Sequence, residues 1–221
     1  MAAPAFPRAS ASLSFPGAAG AIETICTLPS ADARAGVAIV CHPHPLQGGT
    51  MHNKVVTTLE RAFVELGLAT VRFNFRGVGA SAGTYDEGRG EADDLAAIAD
   101  WVRRERPGDA LWLAGFSFGS YVVLRASARV APDAVVLVAP PIGRWDFTAV
   151  VRPSGPTLVV QGEEDDVVDP QAVYDWVQAG QPAPALIRMP ETGHFFHRRL
   201  IDLRGAVKNA VRGWLPPERS A

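Results

Sequence analysis

Short apolar, β-branched runs alternate along this chain with longer amphipathic stretches, and no other feature limits its fold as much. The runs are GVAIVC (36–41), LATVRFNF (68–75), ALWLAG (110–115), AVVLVAP (134–140), TLVVQG (157–162) and ALIRMP (185–190). Apolar runs of this length, bounded by turn residues, read as strands buried on both faces. Between them the apolar residues recur at helical spacing. Segment 51–66 aligns Val55, Leu59, Phe63 and Leu66, and segment 89–106 aligns Ala92, Leu95, Ile98 and Val102. The second of these opens with Glu91, Asp93 and Asp94 and closes with Arg103, Arg104 and Arg106, an order that suits the helix dipole. Pro107-Gly108 then stops it. Further helices are expected at 118–130, between TLVVQG and ALIRMP, and at 195–214 through Leu200, Leu203, Val207, Val211 and Trp214. Strand–helix repetition of this kind demands crossover connections, hence a mostly parallel sheet with helices on both faces. Segments near 8–15 and 21–28 have no helix between them and read as an antiparallel hairpin at one edge.

A chain of 221 residues with 48% hydrophobic content suits a single α/β domain spanning 1–221. No repeat or linker divides it. A formal net charge of −2 offers no basic field, so neither nucleic acid nor an anionic membrane is an expected partner. The N-terminus lacks the basic start and apolar core of a signal peptide. No apolar run reaches the roughly 18 residues of a membrane span. Cys26 and Cys41 do not make a disulfide framework, and a cytoplasmic location with reduced thiols is the simplest expectation.

Two segments match G-x-S-x-G, Gly115-Phe116-Ser117-Phe118-Gly119 and Gly79-Ala80-Ser81-Ala82-Gly83. A nucleophilic serine of this type sits on a strained turn directly between a buried strand and a helix. Ser117 follows ALWLAG and precedes SYVVLRASARV, so it has that context. Ser81 lies several residues beyond its strand, and the loop TYDEGRG follows it. Ser117 is therefore the candidate nucleophile. The competing reading of 115–119 is a glycine-rich turn in a noncatalytic protein.

A serine hydroxyl needs a base, and the base needs an acceptor that orients it. In elbow-type enzymes the chain order is serine, acid, histidine. That leaves His194 and His197 as bases. His194 lies in the loop after ALIRMP, at a strand carboxyl end where sites of α/β sheets collect. His197 reads as a surface residue. The acid comes from Glu163-Glu164-Asp165-Asp166, after TLVVQG; Asp165 is the first choice and Asp166 the second. For the oxyanion, the Phe118 backbone N–H is one expected donor. The other comes from His42-Pro43-His44-Pro45-Leu46. Proline has no N–H, which leaves His44 first and Leu46 second.

Two other chemistries compete. His42 and His44 form an H-x-H pair, but His52, His194 and His197 supply no matched third ligand, so no metal is expected. Gly77-Val78-Gly79-Ala80-Ser81-Ala82 fits G-x-G-x-x-A after a strand, yet no helix opens there, as dinucleotide binding requires.

The pieces CHPHPLQGGTMHNKV, FNFRGVGASAGTYDEGRGE, GFSFG, GEEDDVV and GHFFH together resemble the α/β-hydrolase superfamily, from about residue 37 to about residue 200. The chain is most similar to its small, lidless bacterial branch, hydrolases related to dienelactone hydrolases and simple esterases. The resemblance implies an eight-stranded, mostly parallel sheet, a Ser117–Asp165–His194 triad and no cofactor. His42-Pro43 stands where the family usually has His-Gly, and Arg76-Gly77-Val78-Gly79 looks like the family's structural turn, which accounts for Ser81. Only a short connection joins the strand ending near Ala139 to the one starting near Thr157, so no cap domain and an open pocket are expected. Met51, Trp145, Phe147 and Phe195 are candidates to line it. The expected function is cleavage of a small or exposed carboxylic ester or thioester, a small-molecule substrate, through an acyl-enzyme. A noncatalytic binding protein and a serine peptidase of the same fold are the alternatives.

Overall fold

The computed structural model describes residues 3–148 and 150–219. Eight strands form one sheet in the order β1-β2-β4-β3-β5-β6-β7-β8. They are β1 (Ala11–Gly17), β2 (Gly20–Thr27), β3 (Gly36–Cys41), β4 (Ala69–Phe73), β5 (Ala110–Phe116), β6 (Ala134–Val138), β7 (Thr157–Gly162) and β8 (Ala185–Met189). Strands β4, β3, β5, β6, β7 and β8 pair in parallel. The hairpin β1–β2 closes one edge and meets β4 antiparallel, as its missing crossover helix requires.

Among the described residues, five helices cover the sheet: α1 (Lys54–Glu65), α2 (Arg89–Glu105), α3 (Phe118–Val130), α4 (Pro170–Gln178) and α5 (Leu200–Ala210). The strands feed two cores in alternation. Val37, Ile39 and Cys41 of β3 join Leu95, Ile98, Val122 and Val173 on the face of α2, α3 and α4. Ala38 and Val40 join Leu59, Phe63, Leu203 and Val207 on the face of α1 and α5. Burial of both faces explains why these strands carry no polar alternation.

Three helix boundaries differ by several residues from the sequence expectation. Helix α1 starts at Lys54 rather than at 51, because the Asn53 side chain caps it, accepting the Val55 N–H at 2.8 Å. Helix α5 starts at Leu200 rather than at 195. Phe196 and Arg198 hold φ values of 53° and 61°, which no right-handed helix allows. Phe196 is fully buried there. A 3₁₀ turn, Arg212–Trp214, takes the place of the last helical turn. Between β6 and β7 the described residues form neither helix nor regular strand, so no cap covers the sheet there. No helix of the described residues is long and apolar enough to cross a membrane.

Candidate active site

Ser117 occupies the junction of β5 and α3 with φ 52° and ψ −121°. A non-glycine residue in that region stores about 1–3 kcal/mol of strain, so its surroundings must hold it. They do. The Ser117 N–H donates to the Val138 carbonyl at 2.8 Å. The Ser120 hydroxyl donates to the carbonyls of Gly115 and Val138, at 2.8 and 3.2 Å. The two glycines of the motif have steric causes. A Cβ on Gly115 would lie 2.4 Å from the Gly119 carbonyl, and one on Gly119 would lie 2.4 Å from the Cys41 oxygen. The backbones of β5, α3 and β3 meet too closely for any side chain. The Ser117 side chain caps nothing, which leaves its hydroxyl free for another partner.

That partner is His194. Its Nε2 lies 3.0 Å from Ser117 Oγ, and its Nδ1 lies 2.8 Å from Asp165 Oδ2. The three residues come from the ends of β5, β7 and β8, so the parallel sheet assembles them along one edge. Two backbone bonds tie the last two loops together, Glu163 N–H to Met189 oxygen at 2.9 Å and Glu164 N–H to Thr192 oxygen at 3.0 Å. Asp165 also accepts the N–H groups of Val167 and Val168 on Oδ1, at 2.9 and 2.7 Å, and the Gln161 amide on Oδ2, at 2.9 Å. Burial alone would raise the Asp165 pKa. The bonds from His194, the Val168 N–H and Gln161, with the attraction of His194, outweigh burial and hold it below the ordinary carboxylate value. An ionised Asp165 accepts at Nδ1–H, so Nε2 presents its lone pair to the serine. The alternatives separate clearly: Asp166 and His197 are both exposed.

Ser81 has a different occupation. Its hydroxyl donates to the Asn74 carbonyl at 2.7 Å and accepts the Glu23 N–H at 3.0 Å, which ties the edge hairpin to the end of β4. Gly79 sits at φ 56°, and a Cβ there would lie 2.4 Å from Glu23. Arg76 forms two bonds of 2.8 Å with Asp94. The segment is a structural turn, and the next helix begins only at Arg89.

The loop after β3 lies across from Ser117. The His44 carbonyl accepts the N–H groups of Gln47 and Gly49 at 3.1 and 3.0 Å. Its Nδ1 accepts the Leu46 N–H at 3.2 Å. Leu46 is therefore occupied, and its N–H is removed as an oxyanion donor. Nδ1 carries no proton, so Nε2–H faces the Tyr85 hydroxyl at 3.2 Å. Burial lowers the His44 pKa, with Glu91 opposing. His42 is fully buried and spends both nitrogens. Nε2 accepts the Phe75 N–H at 2.9 Å and Nδ1–H donates to the Pro43 oxygen at 2.7 Å. Burial pushes its pKa down to about 4, with the Pro43 bond opposing. Neither histidine has a free ring nitrogen, and among the described residues no cluster of three or more His, Cys, Asp or Glu could hold a metal ion.

A cavity of about 90 Å³ opens at Ser117 and His194, bounded by His44, Gln47, Asn53, Val167 and Phe195 among others. Of the expected lining residues, Phe195 is present, 48% exposed, with its ring 5.1 Å from that of His194. Met51 is not. It is buried, with its N–H on Asn74 at 2.9 Å and its carbonyl on Arg72 at 2.7 Å. Trp145 and Phe147 pack behind the cavity instead. Trp145 packs at tilted angles against the rings of His44, Phe118 and Tyr121, and Phe147 lies tilted against Tyr121 and edge-on to Trp176. Sequence reasoning missed Gln47, Asn53, Val167 and Gln161. Only Gln161 left a signal, a polar amide ending an apolar strand. A second cavity, of about 250 Å³, lies at the opposite sheet edge beside Thr157 and Ala185, far from the elbow.

The strand order, the elbow and the missing cap define an α/β hydrolase. A family model described as serine aminopeptidase, S33 (Hydrolase_4) matches residues 34–154, and the chain belongs to that family. A Xanthomonas campestris structure described as an α/β serine hydrolase without lid is 55% identical, with a TM-score of 0.94, over 98% of this chain and 100% of that one. A Coxiella burnetii α/β serine hydrolase homologue is 41% identical, with a TM-score of 0.90, over 94% and 100% of the two chains. An uncharacterized Rickettsia prowazekii protein is 34% identical over 185 residues, 79% of this chain and 78% of that one.

Proposed function

We propose that this hydrolase cleaves a small or exposed carboxylic ester or thioester through an acyl-enzyme on Ser117. The observation that carries the reading is the continuous chain Ser117 Oγ, His194, Asp165, with contacts of 3.0 and 2.8 Å. His194 Nε2 takes the hydroxyl proton as Oγ attacks the carbonyl carbon. Asp165 stabilises the imidazolium without taking the proton. The oxyanion falls to two backbone donors. Phe118 N–H is one, unpaired because it opens α3. His44 N–H is the other. Collapse expels the alcohol or thiol with the proton from His194, and water repeats the sequence to release the acid. No cofactor takes part.

A fluorophosphonate probe tests the reading. Ser117→Ala abolishes labelling and lowers turnover by about 10⁴- to 10⁶-fold. Ser81→Ala keeps full labelling but loses about 1–3 kcal/mol of stability with its two bonds. Labelling that survives Ser117→Ala and vanishes in Ser81→Ala would overturn the assignment. A broad ester and thioester panel on which the folded protein never turns over would favour a binding protein.

A further inference from the structure

Asp165 is held by more than His194. Gln161, near the end of β7, is fully buried. Its Nε2 donates to Asp165 Oδ2 at 2.9 Å, the same oxygen that accepts His194 Nδ1 at 2.8 Å. The other amide hydrogen reaches the Gly162 carbonyl at 3.1 Å. Both donors are spent, while Oε1 lies buried with no partner among the described residues. An orphaned buried acceptor is unusual and calls for a cause. Charge supplies one. Turning the amide would set Oε1 against the anionic Oδ2, so an ionised Asp165 fixes the orientation. Oδ1 is already taken by the Val167 and Val168 N–H groups. The nearby carboxylates Glu163, Glu164 and Asp166 are exposed, and Glu163 pairs with Arg188 at 2.9 Å. His194 is thus the ionisable partner that faces Asp165.

We infer that Gln161 is a positioning residue for the proposed reaction: it pins the Asp165 oxygen that orients His194 and, by sharing that oxygen, limits how strongly the pair binds a proton. The inference rests on the Ser117–His194 reading. Without the amide, Oδ2 directs its full charge at His194. The imidazolium of the free enzyme becomes more stable, and the pair takes up its proton at a higher pH. The base is then protonated over a wider range, and the acid limb of reactivity moves up.

The rate of fluorophosphonate labelling, measured from about pH 5 to about pH 9, reads that limb without a known substrate. Wild type, Gln161→Met and Gln161→Glu are compared, with Tm for each. In Gln161→Met the limb moves up by about half to one pH unit and the rate below it falls about three- to tenfold. Its Tm falls modestly, because the bonds to Asp165 and Gly162 go with the amide, so the position of the limb and not the absolute rate is the readout. Gln161→Glu is nearly isosteric and, once its carboxyl is ionised, sets a second negative charge beside Asp165, which stabilises the imidazolium of His194 and moves the limb further. It reads the same limb if the methionine variant fails to fold. A limb unmoved in the folded variants overturns the role of Gln161, as does a rate loss that only follows a fallen Tm. Persistent labelling of Ser117→Ala would instead refute the reaction itself, so the two failures are distinguishable.

Discussion

Replacing Asp165 by asparagine tests the electrostatics of the site more sharply than removing it. The backbone N–H groups of Val167 and Val168 hold Oδ1, so the amide oxygen of asparagine must take that place. The new NH₂ then stands where Oδ2 was, facing two donors, Gln161 Nε2 and His194 Nδ1. His194 relieves the clash by moving its proton to Nε2. That nitrogen faces Ser117 Oγ, 3.0 Å away, and can no longer accept the serine proton. Geometry is preserved while the tautomer is wrong, a change worth about 10⁴ in kcat in serine triads. Four decades correspond to about 5.4 kcal/mol of transition-state stabilisation. Gln161 no longer faces a carboxylate, so its amide turns and Oε1 accepts from the new NH₂. The assay is single-turnover acylation by a chromogenic ester, with ¹⁵N spectra of the His194 ring to report the tautomer. Acylation within tenfold of wild type, or a ring that keeps Nδ1–H, would refute this account of Asp165.

Two further outcomes follow from buried and strained groups. His42 has an ordinary pKa of 6.5 and a folded one of about 4, so the unfolded chain binds its proton first. Its contribution is complete above pH 6.5 and declines as pH falls toward 4. The loss totals about 3 kcal/mol, at about 1.4 kcal/mol per pH unit. Urea midpoints measured between about pH 7 and about pH 5, above most carboxylate titration, should fall with that slope, and a flat profile contradicts the burial argument. Ala131 ends α3 at φ 45°, a left-handed cap that costs a Cβ about 1 kcal/mol. Ala131→Gly keeps the N–H bond to Ser127 and should gain about that much in urea unfolding, with turnover unchanged.

The fold was largely legible because its signals are local. ALWLAG and TLVVQG carry their strand character in their own composition, and α3 runs over 118–130 as its periodicity implies. Ser117 was legible for the same reason, since strand, glycine, serine and helix adjoin in the chain. Asp165 was harder. Four acids in a row look alike until the turn donates two N–H groups to one of them. The region 195–199 misled, because a demand from far away bends it. His194 must reach Ser117, Phe196 must fill the core, and left-handed residues reconcile the two. The cavity wall was the least legible part. Aromatic residues were the natural guess, yet loops present short side chains and backbone, so Gln47, Gly48, Gly49 and Asn53 stand there. Trp145 instead packs against His44, and Phe147 packs against Tyr121.

The uncovered stretch between β6 and β7 shapes the kinetics of the proposed reaction. If the proposed reaction has no closing step, turnover is indifferent to solvent viscosity below the diffusion limit. On the proposed reading the far end of a substrate stays in bulk water. Selectivity is then confined to the few atoms beside the scissile bond, and bulky or tethered leaving groups are handled as readily as small ones.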